Sequence, residues 1–512
     1  MGVDIAEQSD KNSPFPNNPA HVPTLQGPGK FIRGQVAGKI RGPEGIVSRR
    51  GVALVVIAFG FLLIVMLLNR PLLMRGQGAS PTHNQDQSQV QSQDQSQNQS
   101  DEQVSGPYEP VKDWPKPLSS LFPGEQGWTW GATQAIYAQN PNRIFISMRG
   151  ELPAIRGSEQ LGRIGSALGG ASAVAEAINV EWPGAGEDGR SIFLTLPTPG
   201  LPARNASVGP TASPGEPHVK FVARENVDYR WKHLIFVVDG QGNLVDDWSR
   251  WDKVFKRVHK ILISPYDPEK RVWVDDDGRC AIYVFSNDGK RLLQTIGVPN
   301  DCGADDKRFN RQTDIAWLPD GTFFVSDGYE NTRVVKFDKH GKYLMAWGEP
   351  SWDWKTRKDV PGVPQPPPPN YFHTVHGIQV DPVTRRVFVS DRENHRIQVF
   401  DENGKFLTMW NLGPYAAAYH LLLTEDRHLW ISDGHGTYKI LEYDLDGRLL
   451  SSWGTFGPQP GELWGVHEIS TDQEGNLFVA EVFNGRAQKF APKKGADPKK
   501  LMGQQMRVAW KD

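Results

Sequence analysis

Four of the thirteen histidines are predicted to occupy equivalent positions of a repeated segment. When the repeats are aligned on the strand that precedes their Ser-Asp motif, His259, His376, His420 and His467 coincide, and Thr313 takes this position in the remaining copy. Imidazole nitrogens that meet at one point bind zinc at about 2.0–2.1 Å. The register therefore predicts a zinc site. The alternative is that histidine at this position only hydrogen-bonds a neighbouring repeat.

The repeated segment also predicts the strands that must position these histidines. Its clearest copy runs from His376 to Trp410 and contains four short alternating stretches separated by turns. The frame recurs from Thr313 to Gly348 and from His467 to Phe490, with weaker copies that start at His259 and His420. Four such strands make one blade of a β-propeller, and a closed ring of blades buries the faces that one blade alone exposes.

A further copy is divided in two. Its first half runs from Ala132 to Gly150 and its second half from His233 to Ser249, with a Gly/Pro/Ala-rich insertion at 151–231 between them. The fold class is therefore all-β, and we expect a six-bladed β-propeller over residues 107–512. Seven blades are the main alternative.

The residues before the repeats predict a membrane anchor. Residues 1–50 are polar and rich in Gly and Pro, which is typical of a disordered segment. The stretch that follows carries no charge from Gly51 to Leu68 and predicts one transmembrane helix at 51–69. Residues 70–106 are rich in Gln and Ser and predict a flexible linker. Basic residues precede the helix, so we expect a cytoplasmic N-terminus and a periplasmic or extracellular propeller.

Charge and cysteine content exclude some classes of protein. A formal net charge of -2 argues against a nucleic-acid partner, because domains that bind nucleic acid carry an excess of Lys and Arg. The two cysteines, Cys280 and Cys302, either form one disulfide outside the cytoplasm or remain buried thiols.

From Ala132 to Phe490 the chain resembles the peptidyl-α-hydroxyglycine α-amidating lyases, a family of six-bladed NHL-repeat propellers. The most specific matches are DGYENTR, from Asp327 to Arg333, and DREN, from Asp391 to Asn394. The resemblance implies a zinc-dependent lyase that acts on a small-molecule or peptide substrate. A protein partner is not predicted.

The resemblance also assigns roles to individual residues. It implies that Tyr329 is the catalytic base, that Arg392 binds the substrate, and that Arg149 in IFISMRG matches an arginine of the family's first blade. The zinc ligands implied are three of the four histidines in register: His259, His376 and His467.

The reaction of this family explains why such residues are needed. It splits an N-acyl-α-hydroxyglycine into an amide and glyoxylate, so a base must remove the hydroxyl proton while the C–N bond breaks. A tyrosine close to zinc and arginine is expected to ionise below its usual pKa of about 10. An arginine pairs with the substrate carboxylate through two parallel hydrogen bonds.

Structural roles are the alternatives for several of these residues. Arg392 would then only pair with Asp391 or Glu393, and Tyr329 would be an ordinary turn residue. Four aspartates recur in the clear repeats and are expected to accept hydrogen bonds from backbone N–H groups in turns. They are Asp275, Asp327, Asp391 and Asp433.

The chain departs from the family at two positions that bear on the site. The family has a disulfide cysteine just after the catalytic tyrosine, where this chain has Glu330. The family's calcium ligand, an aspartate after the third histidine, is replaced by Glu468, so zinc is the expected cofactor and calcium is doubtful. His420 has no role in the family and is a possible extra ligand.

Two other function classes remain open. One is a non-enzymatic NHL-repeat propeller that binds a protein or glycan at the cell envelope, because a fold does not fix a function. The other is a hydrolase that uses a metal in the same channel, although such sites favour oxygen ligands around calcium.

Overall fold

Six antiparallel four-stranded sheets make up the fold in the described part of the chain. The computed structural model describes residues 104–153, 225–226, 229–356, 358–457 and 459–510. The prediction of an all-β, six-bladed propeller is confirmed, and the seven-bladed alternative is wrong.

We number the blades 1 to 6 in chain order and give the strands of each blade from the innermost to the outermost. Blade 1 contains Thr133–Asn140, Arg143–Met148, Ile235–Val238 and Leu244–Asp247. Blade 2 contains Val258–Ile263, Val272–Asp276, Ala281–Phe285 and Leu292–Gly297. Blade 3 contains Gln312–Trp317, Phe323–Asp327, Arg333–Phe337 and Tyr343–Trp347. Blade 4 contains Val375–Val380, Val387–Asp391, Arg396–Phe400 and Phe406–Asn411. Blade 5 contains Ala418–Leu423, Leu429–Asp433, Ile440–Tyr443 and Leu449–Trp453. Blade 6 contains Val466–Thr471, Leu477–Glu481, Arg486–Pro492 and Tyr108–Pro110.

Short elements lie outside the six sheets, either between blades or, as with Arg392–Asn394, between two strands of one blade. The helical turns are Leu118–Leu121, Ser249–Trp251, Arg392–Asn394 and Pro498–Lys500. The small two-stranded sheets pair Trp128–Trp130 with Glu151–Pro153, Glu349–Pro350 with Tyr371–Phe372, and Trp352–Asp353 with Lys358–Asp359.

The ring is closed by the first strand of the described chain. Tyr108–Pro110 pairs with Arg486–Pro492, and Tyr108 lies opposite Pro492. The Tyr108 side chain is fully buried, and its hydroxyl accepts a hydrogen bond of 2.8 Å from the backbone N–H of Met502. Blade 6 is therefore built from both ends of the propeller sequence.

Tryptophan and glycine connect neighbouring blades at the outer rim. Gly404 and Gly447 lie in the outer turns of blades 4 and 5 with φ of 79° and 88°, a region that glycine adopts without strain. A side chain at either position would overlap the indole of Trp347 or Trp410, which ends the outermost strand of the preceding blade. These glycines therefore serve both turn geometry and interblade packing.

Most of the predicted turn aspartates have the expected role. Asp327, Asp391 and Asp433 each end the second strand of their blade and accept a backbone N–H at 2.8–2.9 Å. In blade 2 the sequence alignment was wrong by one residue, because Asp276 accepts the N–H of Arg257 at 2.9 Å. Asp275 instead accepts the side-chain amide of Gln312 at 2.6 Å.

Cys280 and Cys302 form a disulfide, with their Cα atoms 5.5 Å apart. Of the two alternatives that the sequence left open, the disulfide is therefore correct and the pair of buried thiols is wrong. The bond joins the turn after the second strand of blade 2 to the segment that leads into blade 3.

Several predicted segments lie outside the described residues. They are 1–50, the anchor at 51–69, most of the linker at 70–106 and most of the insertion at 151–231. Within the described ranges, no helix combines the length and apolarity needed to span a bilayer. The described start of the insertion, Glu151–Pro153, pairs with Trp128–Trp130.

Candidate active site

The second residue of each innermost strand forms a β-bulge at the same end of the central channel. In blades 2, 4 and 6 the pairing shifts at His259, His376 and His467. A bulge re-aims a side chain, and here it brings three imidazoles together. Their ring centroids lie 4.6–5.2 Å apart, and all three side chains are buried.

His420 does not belong to this set, which corrects the sequence alignment. In blade 5 the bulge falls between Ala418 and His420, so Tyr419 occupies the position equivalent to the three histidines. His420 lies in the next layer of the channel, where its Nδ1 atom is 2.8 Å from the Nζ atom of Lys260. His420 is therefore not placed to bind a metal together with the other three.

The Nδ1 atom of each clustered histidine faces a backbone carbonyl of the next blade. Because a carbonyl can only accept, each Nδ1 carries the proton and each Nε2 keeps its lone pair. The three pairs are His259 with Thr313 at 2.7 Å, His376 with Tyr419 at 2.6 Å, and His467 with Gln134 at 2.8 Å. The interblade hydrogen bond that we considered as an alternative thus coexists with a free ligand atom.

Among the described residues, a single hydroxyl group lies within hydrogen-bond distance of the Nε2 atoms of the clustered histidines, and it reaches only two of the three. The Tyr329 hydroxyl lies 3.1 Å from Nε2 of His259 and 2.9 Å from Nε2 of His376, and it can donate to only one of them. Nε2 of His467 is buried and has no hydrogen-bond partner in the described part of the chain. One ligand atom from each histidine lies within 4.8 Å of the others. This electron-rich arrangement fits a cation of the zinc type, which prefers neutral imidazole.

Burial keeps these imidazoles neutral. It lowers the pKa of His259, His376 and His467 far below the usual value, and the positive charge of Lys260 acts in the same direction. Metal binding requires the neutral form, so the protein already supplies it at neutral pH.

Tyr329 lies among several guanidinium groups. The Cζ atoms of Arg311, Arg392 and Arg257 are 4.7, 5.4 and 5.8 Å from the centroid of its ring. Burial raises the pKa of Tyr329, while Arg392, Arg257 and Arg149 oppose this effect only in part. The protein groups alone therefore keep the phenol protonated, and ionisation below its usual pKa would require a further cation.

Arg392 is only partly engaged within the protein. Its Nε donates to Glu393 at 2.8 Å, while the buried Nη1 has no hydrogen-bond partner among the described residues. Asp391 pairs with Arg396 at 2.8 Å rather than with Arg392. The guanidinium lies between the rings of Tyr329 and Tyr419, 5.4 and 4.6 Å from their centroids. It is therefore oriented and still able to donate to an anion.

Arg149 directly follows the second strand of blade 1 and is buried at the same site. Burial lowers its pKa, and its own charge helps to lower the pKa of His467. The structure thus brings together the three histidines, Tyr329, Arg392 and Arg149 that the sequence singled out.

A layer of buried charge lies directly below the histidines. Lys260 is fully buried and donates to the backbone oxygen of His467 at 3.3 Å. Glu468 accepts the N–H of Ile136 at 3.0 Å, and burial raises its pKa to about 8 against the influence of Lys260. The sequence analysis missed Lys260, although a lysine inside the apolar strand VHKILI was a usable signal.

A cavity of about 60 Å³ opens at the other end of the channel. It is lined by the far ends of the innermost strands, among them Ile263, Trp317 and Leu423. It contacts the layer of His420 and Glu468 but none of the three clustered histidines. The histidine end, where the ligand atoms and the arginine side chains lie close together, is therefore the candidate active site.

Comparison with known proteins finds relatives that are named as amidating enzymes and one that is named only for its NHL repeats. An NHL-repeat family model matches residues 372–400. Peptidyl-alpha-hydroxyglycine alpha-amidating lyase 1 of Drosophila melanogaster is 27% identical over 285 residues, which cover 51% of this chain and 49% of that protein. Peptidyl-glycine alpha-amidating monooxygenase of Mus musculus is 33% identical over 252 residues, 47% of this chain and 24% of that protein. NHL repeat-containing protein 3 of Homo sapiens is 26% identical over 189 residues, 35% of this chain and 48% of that protein.

The chain spans about half the length, or less, of these curated relatives. Among solved structures, a protein of unknown function from Bacteroides thetaiotaomicron is 13% identical with a TM-score of 0.39, and 71% of this chain and 70% of that chain are covered. A score this low carries no argument. The chain thus contains an NHL repeat at residues 372–400 within a six-bladed β-propeller, and over about half of its length it resembles the peptidyl-α-hydroxyglycine α-amidating lyases.

Proposed function

We propose that the protein is a zinc-dependent lyase that cleaves the C–N bond of N-acyl-α-hydroxyglycine compounds to an amide and glyoxylate. The observation that carries the proposal is the cluster of three buried imidazoles, in which the Tyr329 hydroxyl contacts Nε2 of His259 and of His376 while Nε2 of His467 has no hydrogen-bond partner among the described residues. His259, His376 and His467 would hold the ion. When bound, zinc would lower the pKa of the substrate hydroxyl, as it does for water.

The residues of the chain supply the remaining steps. Tyr329, once ionised, accepts the proton of the substrate hydroxyl, because its Oη atom already faces the ligand atoms. The C–O double bond of glyoxylate then forms as the C–N bond breaks, and the electron pair and a proton go to the amide nitrogen. Arg392 offers Nη1 to the substrate carboxylate, and Arg149 adds a second positive charge.

Metal content tests the first half of the proposal. We expect the purified full chain to bind one zinc ion and the His376→Ala variant to bind none. His420→Ala is the matched control, because His420 is equally buried but lies one layer away, and it should keep its zinc. A folded wild type that binds no zinc would favour a non-enzymatic propeller that binds a protein or glycan.

Glyoxylate release tests the reaction. Wild type should release glyoxylate from α-hydroxyhippurate, and Tyr329→Phe should lower kcat by about 10² or more, in the range of general acid–base catalysis. The Tyr329→Phe variant should retain zinc. Equal activity in the two proteins would exclude Tyr329 as the base.

We also propose that residues 51–69 anchor the protein in a membrane with the propeller outside the cytoplasm. The uncharged stretch from Gly51 to Leu68 supports this, and a disulfide is typical of an oxidising compartment. The full chain should remain in the membrane fraction after alkaline carbonate extraction. A Leu62→Arg, Val65→Arg double variant should be released, and release of the wild type would contradict the proposal.

A further inference from the structure

Behind Tyr329 lies a buried carboxylate that binds two arginines. Asp277 is fully buried and accepts a hydrogen bond of 2.6 Å from Nε of Arg257, as well as one from its Nη2 atom. On its other side, Nε and Nη2 of Arg311 lie 3.4 Å from the same carboxylate. Both guanidinium groups face the ring of Tyr329.

Arg311 also holds the turn that carries Tyr329. The backbone N–H of Tyr329 donates to the carbonyl of Arg311 at 3.1 Å, and that of Glu330 donates to Asn310 at 3.3 Å. The Arg311 side chain lies 3.6 Å from the Glu330 carboxylate. The turn is therefore fixed by the backbone carbonyls of Asn310 and Arg311 and by the side chain of Arg311.

The disulfide joins the two segments that contribute to this network. Cys280 lies three residues after Asp277, and its Sγ atom is 3.8 Å from the Asp277 carbonyl. Cys302 lies in the segment that leads to Arg311, and this segment is also fixed by a 2.8 Å bond from the N–H of Asn300 to the carbonyl of Arg279. Asp277 and Arg311 are thus held at a fixed separation.

We propose that Asp277 is a positioning residue, which uses Arg257 and Arg311 to hold the Tyr329 hydroxyl against His259 and His376. This inference rests on the proposed function, because it concerns the same base. Pairing with Asp277 engages Nε and Nη2 of Arg257, whose buried Nη1 has no hydrogen-bond partner among the described residues, as is also the case for Nη1 of Arg392. A displacement of about 1 Å at a reacting group can cost about 10² in rate.

The kinetic test separates positioning from binding. We expect Asp277→Asn to lower kcat on α-hydroxyhippurate by 10- to 100-fold, with KM changed less than twofold and zinc content unchanged. The control is Glu481→Gln in blade 6, which removes another fully buried carboxylate, paired with Arg486 at 2.5 Å. This control should keep the wild-type kcat.

Two kinetic results would overturn the inference. One is a wild-type kcat in Asp277→Asn. The other is an equal fall in Glu481→Gln, because the effect would then follow from the loss of any buried ion pair. If Asp277→Asn does not fold, Arg311→Met provides the same test, since it leaves the pair of Arg257 and Asp277 intact.

A crystallographic measurement keeps the inference testable if the wild type proves inactive and the proposed function fails. The distance from Tyr329 Oη to His376 Nε2, 2.9 Å in the wild type, should increase by more than about 1 Å in Asp277→Asn. An unchanged distance would overturn the positioning role regardless of activity.

Discussion

His467 differs from the other two histidines of the site because no donor from residues that the structure describes reaches its Nε2 atom. A buried acceptor without a hydrogen bond lowers the stability of the fold by about 1–3 kcal/mol. A folded protein keeps such an acceptor where a bound ligand compensates for this loss. Five of the six residues of the candidate site could be singled out because the repeat register and the DGYENTR and DREN motifs are local sequence features, and the roles assigned to them stay predictions. Asp277 and Arg311 could not, because they are 34 residues apart and meet only through the packing of blades 2 and 3.

Arg392→Lys should weaken binding of the substrate carboxylate. A lysine keeps the charge but lacks the planar fork, so we expect KM for α-hydroxyhippurate to rise about 10-fold or more, with a smaller change in kcat. The carboxamide analogue of the substrate is the control, since it should bind both proteins equally weakly. An unchanged KM would indicate that Arg392 only braces Glu393.

His373 should contribute to acid sensitivity of the fold. Its ring stacks on Trp352 at 4.6 Å, and burial lowers its pKa from 6.5 to about 4. A depressed folded-state pKa means that the unfolded chain takes up the proton first, so this stability is present above pH 6.5 and is lost as pH falls towards 4. The loss amounts to at most about 3 kcal/mol.

His373→Phe keeps the stacking and removes the titration. Urea unfolding at pH 7 and pH 4.5 should therefore show a smaller fall in the free energy of unfolding for this variant than for the wild type. Equal falls in the two proteins would contradict the prediction.

At the scale of elements, the turn that carries Tyr329 depends on a glycine. A Cβ atom on Gly328 would overlap the carbonyl oxygen of Val375 on the innermost strand of blade 4. We expect Gly328→Ala to displace the turn and to lower kcat at least 10-fold, because the tyrosine would leave its position beside the histidines. Gly362→Ala is the control: a Cβ there meets no atom within 4 Å, and although the φ of 85° strains its own turn, the variant should leave kcat unchanged.

The disulfide should stabilise the connection between blades 2 and 3. Its half-cystines are separated by 22 residues. Closing a loop of this length lowers the entropy of the unfolded chain, which stabilises the folded state by roughly 3 kcal/mol. A Cys280→Ala, Cys302→Ala double variant should lose about this much free energy of unfolding in urea. A loss below about 0.5 kcal/mol would show that the connection is fixed by its hydrogen bonds alone.

At the scale of the whole molecule, ring closure should dominate stability. Tyr108→Ala removes a fully buried side chain from the closing strand and should cost about 3–5 kcal/mol in urea unfolding of the full chain. Tyr415→Ala, which truncates a side chain that is 71% exposed, should change stability by less than about 0.5 kcal/mol. Similar values for the two variants would show that closure contributes little.

Six blades could be predicted because each repeat carries its own turns and alternating strands, so the count is a property of local sequence. The closing strand could not be found in this way. Tyr108–Pro110 has three residues and no periodicity, and only its position opposite Arg486–Pro492 makes it part of a blade. The position of His420 was misread for a related reason, since a bulge shifts the register without leaving a mark in the sequence.

The pairing of residue 108 with residue 492 also constrains how the polypeptide can be made. The strand Tyr108–Pro110 leaves the ribosome first, and its backbone groups remain unpaired until nearly all of the remaining chain has been synthesised. Contacts so distant along the chain form slowly, because a very long loop must close before they contribute. The newly made protein should therefore depend on chaperones, and a ribosome that stops before residue 486 would leave an open, aggregation-prone arc of blades.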